Sequence, residues 1–443
     1  MTNFPKNTPV TFDHHWMPFT ANQDFAANPR LVERAEGMVY FTPEGDEILD
    51  MTAGLWCCNL GHGCKEIADA VRAQFDQLDF APSFSFGHPL SFQLAERLAK
   101  LLPGDINTLF FANSGSEAVE TAIKIAYAYH DARGQGGRKR IISRQRGYHG
   151  VNFAGVSLGG ITANRKAFGQ WLPVDHLSAT HDLSLNAFSK GQPERGGEAM
   201  ANELEALIRF HDPETIAAVI VEPIAGAGGV LLPPKGYLER LRELCSAHGI
   251  LLIFDEVITG FGRTGKAFAA ETFGVTPDIM TMAKGITSAT VPMGAAACRD
   301  AIRDAVFETT AGMEFFHGYT YSAHPLACAA SMACLDLYEK EDLFTRASGP
   351  VSDALQDMIA SFKDLPRVID TRGIGFIGAV EFEPLADKPG SIGGALLKAC
   401  WQQGVMIRGL GDAIAISPPL IVEEAHINRF ADGFRKAVHS VLG

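Results

Sequence analysis

Between residues 108 and 283, short apolar runs alternate with stretches of helical periodicity, and this alternation constrains the fold more than any other feature. "TLFFA" (108–112) reads as a strand, and "SEAVETAIKIAYAYH" after it puts Val119, Ala122, Ile123 and Ala126 on one helical face. Further strand candidates are "RIIS" (140–143), "AAVIVE" (217–222), "ILLIFDE" (250–256) and "DIMTMA" (278–283). Within "GYLERLRELCSAHG", Leu238, Leu241, Leu244 and Cys245 share a face, and Gly249 supplies a C-terminal stop. Apolar strands joined through helices imply an α/β fold whose mainly parallel sheet is covered on both faces. The polar, glycine-rich segment 160–215 reads as a surface loop. After about residue 330 the pattern turns to helices and short strands, as expected of a smaller second domain.

Composition narrows the partners. The 443 residues are 47% hydrophobic and 20% charged, which is ordinary for a large soluble globular protein. A net charge of −13 argues against nucleic acid or an anionic membrane as partner. No apolar run is long enough for a membrane span, and the N-terminal stretch has no apolar core of a secretory signal. Eight cysteines without a Cys-x-x-Cys pair read as reduced thiols of a cytoplasmic protein. "WCCNLGHGC" contains Cys57, His62 and Cys64 but lacks a second ligand cluster, so it reads as a packed glycine-rich turn, and no metal is expected.

In sheets of this kind, ligands bind beyond the carboxyl ends of the strands. That places Asn113–Ser116, Tyr148, His149, Glu222, Asp255 and Lys284 in one cleft. "NSGSEAVETA" turns from strand to helix at Ser114, Gly115 and Ser116, so exposed N–H groups and the helix dipole offer a phosphate site; a plain serine cap is the alternative. Asp255 could hold a metal, orient a histidine or pair with a cationic ring nitrogen. Lys284 ends a buried strand, an unusual place for a strongly hydrated ammonium group. A phosphate cup, an acid and a lysine converging at strand ends, with Tyr148 between them, match the requirements of pyridoxal phosphate. Two G-x-G-x-x-G matches, Gly260-Gly262-Gly265 and Gly373-Gly375-Gly378, suggest a nucleotide-dependent oxidoreductase instead. Neither opens a full helix, as that fingerprint requires.

The motifs "AGLWCCNLGHG", "FFANSGSEAVETAIKIA", "YHG", "VEPIAGAGGV", "FDEVITGFGRTG", "MTMAKGI" and "FHGYTYSAHPLACAA" carry a further reading. With them the chain resembles, nearly end to end, the class III (omega) aminotransferases of pyridoxal-phosphate fold type I, especially their omega-amino acid:pyruvate branch. The resemblance implies an aspartate aminotransferase-like fold: residues 1–55 and 329–443 in a small α+β domain, and 56–328 in a large cofactor-binding domain. It implies pyridoxal 5′-phosphate bonded to Lys284, with Gly115 and Ser116 on its phosphate, joined by Thr320 from across a dimer interface. Asp255 would pair with the pyridine nitrogen, while Tyr148 and Val257 would flank the ring. Glu222 and His149 fall at positions near the cofactor. Phe19, Trp56, Phe84 and Ala225 would line the substrate pocket, and Arg408 would receive a substrate carboxylate. The implied assembly is a homodimer with shared active sites, with a homotetramer as the alternative.

One departure bears on substrates. Many relatives have an acidic residue at the sixth position of the motif beginning Glu-Pro-Ile, where it can hold the pocket arginine. Here that position is Ala227. An untethered Arg408 can swing toward pyruvate and away from an amine that lacks a carboxylate. The expected reaction is transfer of an amino group from an omega-amino acid or primary amine to pyruvate, in two half-reactions through one site. An aminomutase or decarboxylating enzyme is the alternative on the same scaffold.

Overall fold

The computed structural model describes residues 11–309 and 312–443, so the first ten residues of the expected N-terminal segment lie outside it. Its centre is a seven-stranded sheet, ordered Ile106–Ala112, Gly294–Arg299, Ile279–Met282, Leu251–Asp255, Ile216–Val221, Arg140–Arg144 and Val174–Leu177. Gly294–Arg299 pairs antiparallel with both neighbours, and the other pairings are parallel. Every strand candidate from the sequence lies in this sheet. Alternate residues enter two cores: Leu252 and Phe254 face one, Leu251 and Ile253 the other. Helix Gly115–Ala132 covers the second face with Val119, Ala122, Ile123 and Ala126. Helix Tyr237–His248 covers the first and stops at Gly249, whose φ of +63° suits glycine.

The segment 160–215 is not a loop. It holds helix Thr162–Phe168, edge strand Val174–Leu177 and helix Glu203–His211, which buries Leu204 and Ile208 one turn apart. The edge strand buries only its two ends around Asp175 and His176, too weak a pattern to read. Neither glycine motif opens a nucleotide-binding helix. Gly373–Gly378 spans the hairpin between Val368–Ile374 and Ile377–Phe382, and Gly260–Gly265 lies in a chain of turns.

Two smaller sheets follow. Val368–Ile374, Ile377–Phe382, Ala413–Ile416 and Arg408–Leu410 form an antiparallel one. In the other, Glu47–Asp50 pairs in parallel with Val405–Met406, joining the N-terminal segment to the C-terminal one. Among the described residues no helix is long and apolar enough to cross a membrane.

Candidate active site

Because most strands of the central sheet run the same way, their carboxyl ends open on one side. There a cavity of about 690 Å³ brings together Gly115, Ser116, Tyr148, Asp255, Val257 and Lys284. His149, Glu222, Phe19, Trp56 and Arg408 line it too. The acid and the lysine arrive on adjacent parallel strands, Leu251–Asp255 and Ile279–Met282.

Asp255 is held from three directions. His149 Nδ1 lies 2.8 Å from Oδ2, while the Thr281 hydroxyl and the Val257 N–H donate to Oδ1 at 3.0 and 3.2 Å. The carboxylate only accepts, so the imidazole proton sits on Nδ1. His149 Nε2, on the far side of the ring, has no protein partner. The result is a buried, fixed negative charge.

Glu222 also accepts, from backbone N–H groups of two loops. Its two oxygens accept the N–H groups of Tyr148 and Gly226, both at 2.9 Å. Burial pushes its carboxyl above the ordinary range, with Asp255 adding to the shift and His149 opposing it. It therefore ties the loop carrying Tyr148 to the loop carrying Ala227 and Gly228. Arg372 secures that second loop from the antiparallel sheet, with Nε donating to the carbonyls of Gly229 and Val230 at 3.0 Å each.

Lys284 has a φ of +49°, the left-handed region that residues with a Cβ seldom adopt. Desolvation lowers its pKa, opposed by the charges of Asp255, Cys57 and Glu222. That favours a larger fraction of free amine than an exposed lysine has.

The start of helix Gly115–Ala132 forms one wall. The Ser114 hydroxyl accepts the Glu117 N–H at 3.2 Å, so this side chain caps the helix and does not line the cavity. The first-turn N–H groups of Gly115 and Ser116 have no intrahelical partner and can receive an anion. A Cβ on Gly115 would lie 2.9 Å from Val257 Cγ1, and one on Gly150 only 2.5 Å from Ser116 Oγ. The cup needs both glycines.

Besides Ser114, three expected site residues sit elsewhere in this single chain. Ala225 is fully buried, bonded to Leu231, and yields its place on the wall to Ala227 and Gly228. Phe84 is 56% exposed and packs against Gly318 outside the cavity, and Thr320 is exposed in the same surface segment. Sequence reasoning missed Arg146, Leu55 and Ile161–Asn164, which do line the cavity. Arg146 stands two residues before Tyr148, and its Nε donates to the Gly228 carbonyl at 2.8 Å. That proximity to "YHG" was the available signal.

Helix-start N–H groups, an anchored carboxylate and a desolvated lysine around one cavity fit pyridoxal 5′-phosphate, an anionic ring cofactor with a basic nitrogen and an aldehyde. The family profile described as Aminotransferase class-III matches residues 20–438. An omega-aminotransferase of Caulobacter vibrioides is 52% identical over 431 residues, 97% of this chain and 98% of the relative. A beta-alanine–pyruvate aminotransferase of Pseudomonas aeruginosa is 45% identical over 99% of this chain and 98% of its own. The omega transaminase of Pseudomonas jessenii, solved in complex with PMP, superposes with a TM-score of 0.92 at 34% identity, covering 97% of this chain and 96% of that one. This chain therefore belongs to the class III aminotransferases, enzymes dependent on pyridoxal phosphate and built on fold type I.

Proposed function

We propose that this enzyme transfers the amino group of an omega-amino acid or primary amine to pyruvate by a ping-pong mechanism. The observation that carries the reading is Arg408. It faces the cavity that holds Lys284 and Asp255, and no carboxylate pairs with it among the described residues. A guanidinium left free in this way can grip a substrate carboxylate through two parallel hydrogen bonds. Ala227 on the same wall offers no charge to hold it back.

Gly115 and Ser116 would hold the cofactor phosphate, Asp255 would pair with its ring nitrogen, Tyr148 and Val257 would flank its ring, and Lys284 would bond its reactive carbon. Bound there, pyridoxal phosphate supplies an electron sink for the charge left when a proton departs the amine-bearing carbon. The Lys284 amine takes that proton and returns it on the other side of the transfer, acting as base and then acid. Asp255 stays aimed at the cavity throughout, with His149, Thr281 and Val257 preventing its rotation.

The assembly is a homodimer with shared sites. Exposed Phe84, Phe86, Phe316 and Tyr321 supply apolar surface for a second copy, and exposed Thr320 and Phe84 would complete the partner's cavity. The pairing of Glu47–Asp50 with Val405–Met406 favours a small domain built from both ends of the chain, residues 1–55 and 329–443, around a large one, 56–328. Eight free thiols favour the cytoplasm.

A panel of amine donors with pyruvate as acceptor, read as alanine formed, tests the reading. Robust alanine formation from beta-alanine supports it. Loss of carbon dioxide or internal migration of the amine, without alanine, would replace it with the decarboxylase or aminomutase alternative.

A further inference from the structure

Cys57 and Cys58 adjoin Trp56 at the cavity wall, and nothing in the transfer chemistry uses them. Their sulfurs lie 4.0 Å apart, and the Leu55 N–H donates to Cys57 Sγ at 3.4 Å. The backbone is shaped to bring them together. Gly54 has a φ of +64°, and a Cβ there would lie 3.0 Å from Cys58 Sγ and 3.6 Å from Cys57 Sγ. Ala53 and Trp56 also take left-handed conformations, at φ +47° and +61°. Two such residues within four positions need firm constraint by their surroundings.

The two thiols differ in character. The neighbouring Cys58 sulfur and the Leu55 N–H hold the Cys57 thiol below its ordinary range, against the opposing effect of burial. Cys58 is pushed up by the neighbouring sulfur and by burial. Burial raises the thiols of Cys64, Cys245, Cys298, Cys328, Cys334 and Cys400. One nucleophilic sulfur beside one protonated sulfur is the arrangement of an attacking and a resolving thiol.

We propose that Cys57 and Cys58 form a redox-modification site, at which hydrogen peroxide joins the two sulfurs and so deforms the substrate cavity through Trp56. The Cys57 thiolate attacks one peroxide oxygen; the S–O bond forms, the O–O bond breaks, and hydroxide leaves and is protonated to water. Cys58 sulfur then attacks Cys57 sulfur; the S–S bond forms, the S–O bond breaks, and a second water carries off the Cys58 proton. Two thiols are oxidised and one peroxide is reduced to two waters. Closing the 4.0 Å gap to a bond of ~2.05 Å displaces the peptide unit that directly follows Trp56. The Trp56 ring fills the space where a Gly226 Cβ would stand, so its movement disturbs the wall that carries Ala227 and Gly228. Consecutive Cα atoms, ~3.8 Å apart, are closer than the usual disulfide span, so the bond is strained and readily reduced by a dithiol.

The test treats the holoenzyme with a small excess of hydrogen peroxide, alkylates it with iodoacetamide and maps the peptides by mass. The expected result is a peptide spanning Cys57 and Cys58 that lacks two hydrogens and resists alkylation. Beta-alanine turnover should fall at least tenfold, and dithiothreitol should restore both mass and rate. In Cys58→Ser the reaction should stop at a sulfenic acid on Cys57 that dimedone labels, and Cys57→Ser should give neither product. Should Cys57→Ser fail to fold, the wild-type mass map and the Cys58→Ser label still decide. Prior oxidation of another cysteine, or both thiols remaining open to alkylation, would overturn the site. A bond formed with turnover unchanged would overturn its link to the cavity. Because the mass readout does not depend on the transferase reading, the two can fail separately.

Discussion

His149 Nδ1 donates to Asp255 Oδ2 across 2.8 Å, with the imidazole fully buried and the acid nearly so. The pair comes from residues 106 positions apart, joined where a loop folds over the end of a central strand. Its effect is to fix the direction of a charge, since a carboxylate held on both oxygens cannot turn away from the cavity.

Asp255→Asn keeps the side-chain volume and removes the charge. The variant is expected to retain cofactor through the helix-start cup while kcat falls by about a hundredfold or more, the scale of losing one preorganised electrostatic contact. Cofactor content and single-turnover rates check this. Unchanged rates would assign the carboxylate to packing alone.

Arg408→Ala is expected to raise KM for both beta-alanine and pyruvate by about ten- to a hundredfold, from the roughly 1.5–3 kcal/mol of a charged hydrogen bond. The half-reaction of 1-phenylethylamine, which has no carboxylate, should be nearly unaffected. Ala227→Glu should tether Arg408 and slow that amine instead. Equal losses for both amine types in Arg408→Ala would indicate general damage to the cavity.

How much was legible in the sequence follows from local chemistry. Strands such as Ile216–Val221 are buried on both faces and therefore read as unbroken apolar runs. Gly294–Arg299 is equally central, but its "GAAACR" sequence has little strand propensity and escaped notice. Asp255 and Lys284 were legible because charges at the ends of such runs stand out. Arg146 and Thr281 were not, since their roles depend on a loop and a strand that meet the site only in three dimensions. Ala225 was misplaced by two residues because the Glu222–Gly226 hydrogen bond turns the loop before Ala227 reaches the cavity.

Glu256, next to Asp255, is fully buried and caps helix Ala269–Phe273 by accepting the N–H groups of Ala269 and Ala270 at 2.9 and 2.7 Å. Burial pushes its carboxyl up from 4.5 to about 7, against the pull of Thr259 and the two N–H groups. The folded state then binds more protons than the unfolded chain, so this group's contribution declines as pH rises from 4.5 to about 7. The decline amounts to about 3 kcal/mol in total. Denaturant titrations of wild type and Glu256→Gln across that window should show a steeper decline in wild type, because Glu222, also raised by burial, contributes to both. Parallel pH profiles would mean that Glu256 ionises normally.

The central claim is that one site with Lys284 as its proton carrier performs both halves of the transfer in turn. Holoenzyme given beta-alanine without pyruvate should release one equivalent of oxo product per site. After gel filtration to remove the donor, added pyruvate should yield one equivalent of alanine. Lys284→Ala, folded and still retaining cofactor by phosphate contacts, should do neither at a measurable rate. Alanine formed only when both substrates are present together, or a Lys284→Ala variant that matches wild type, would contradict the account.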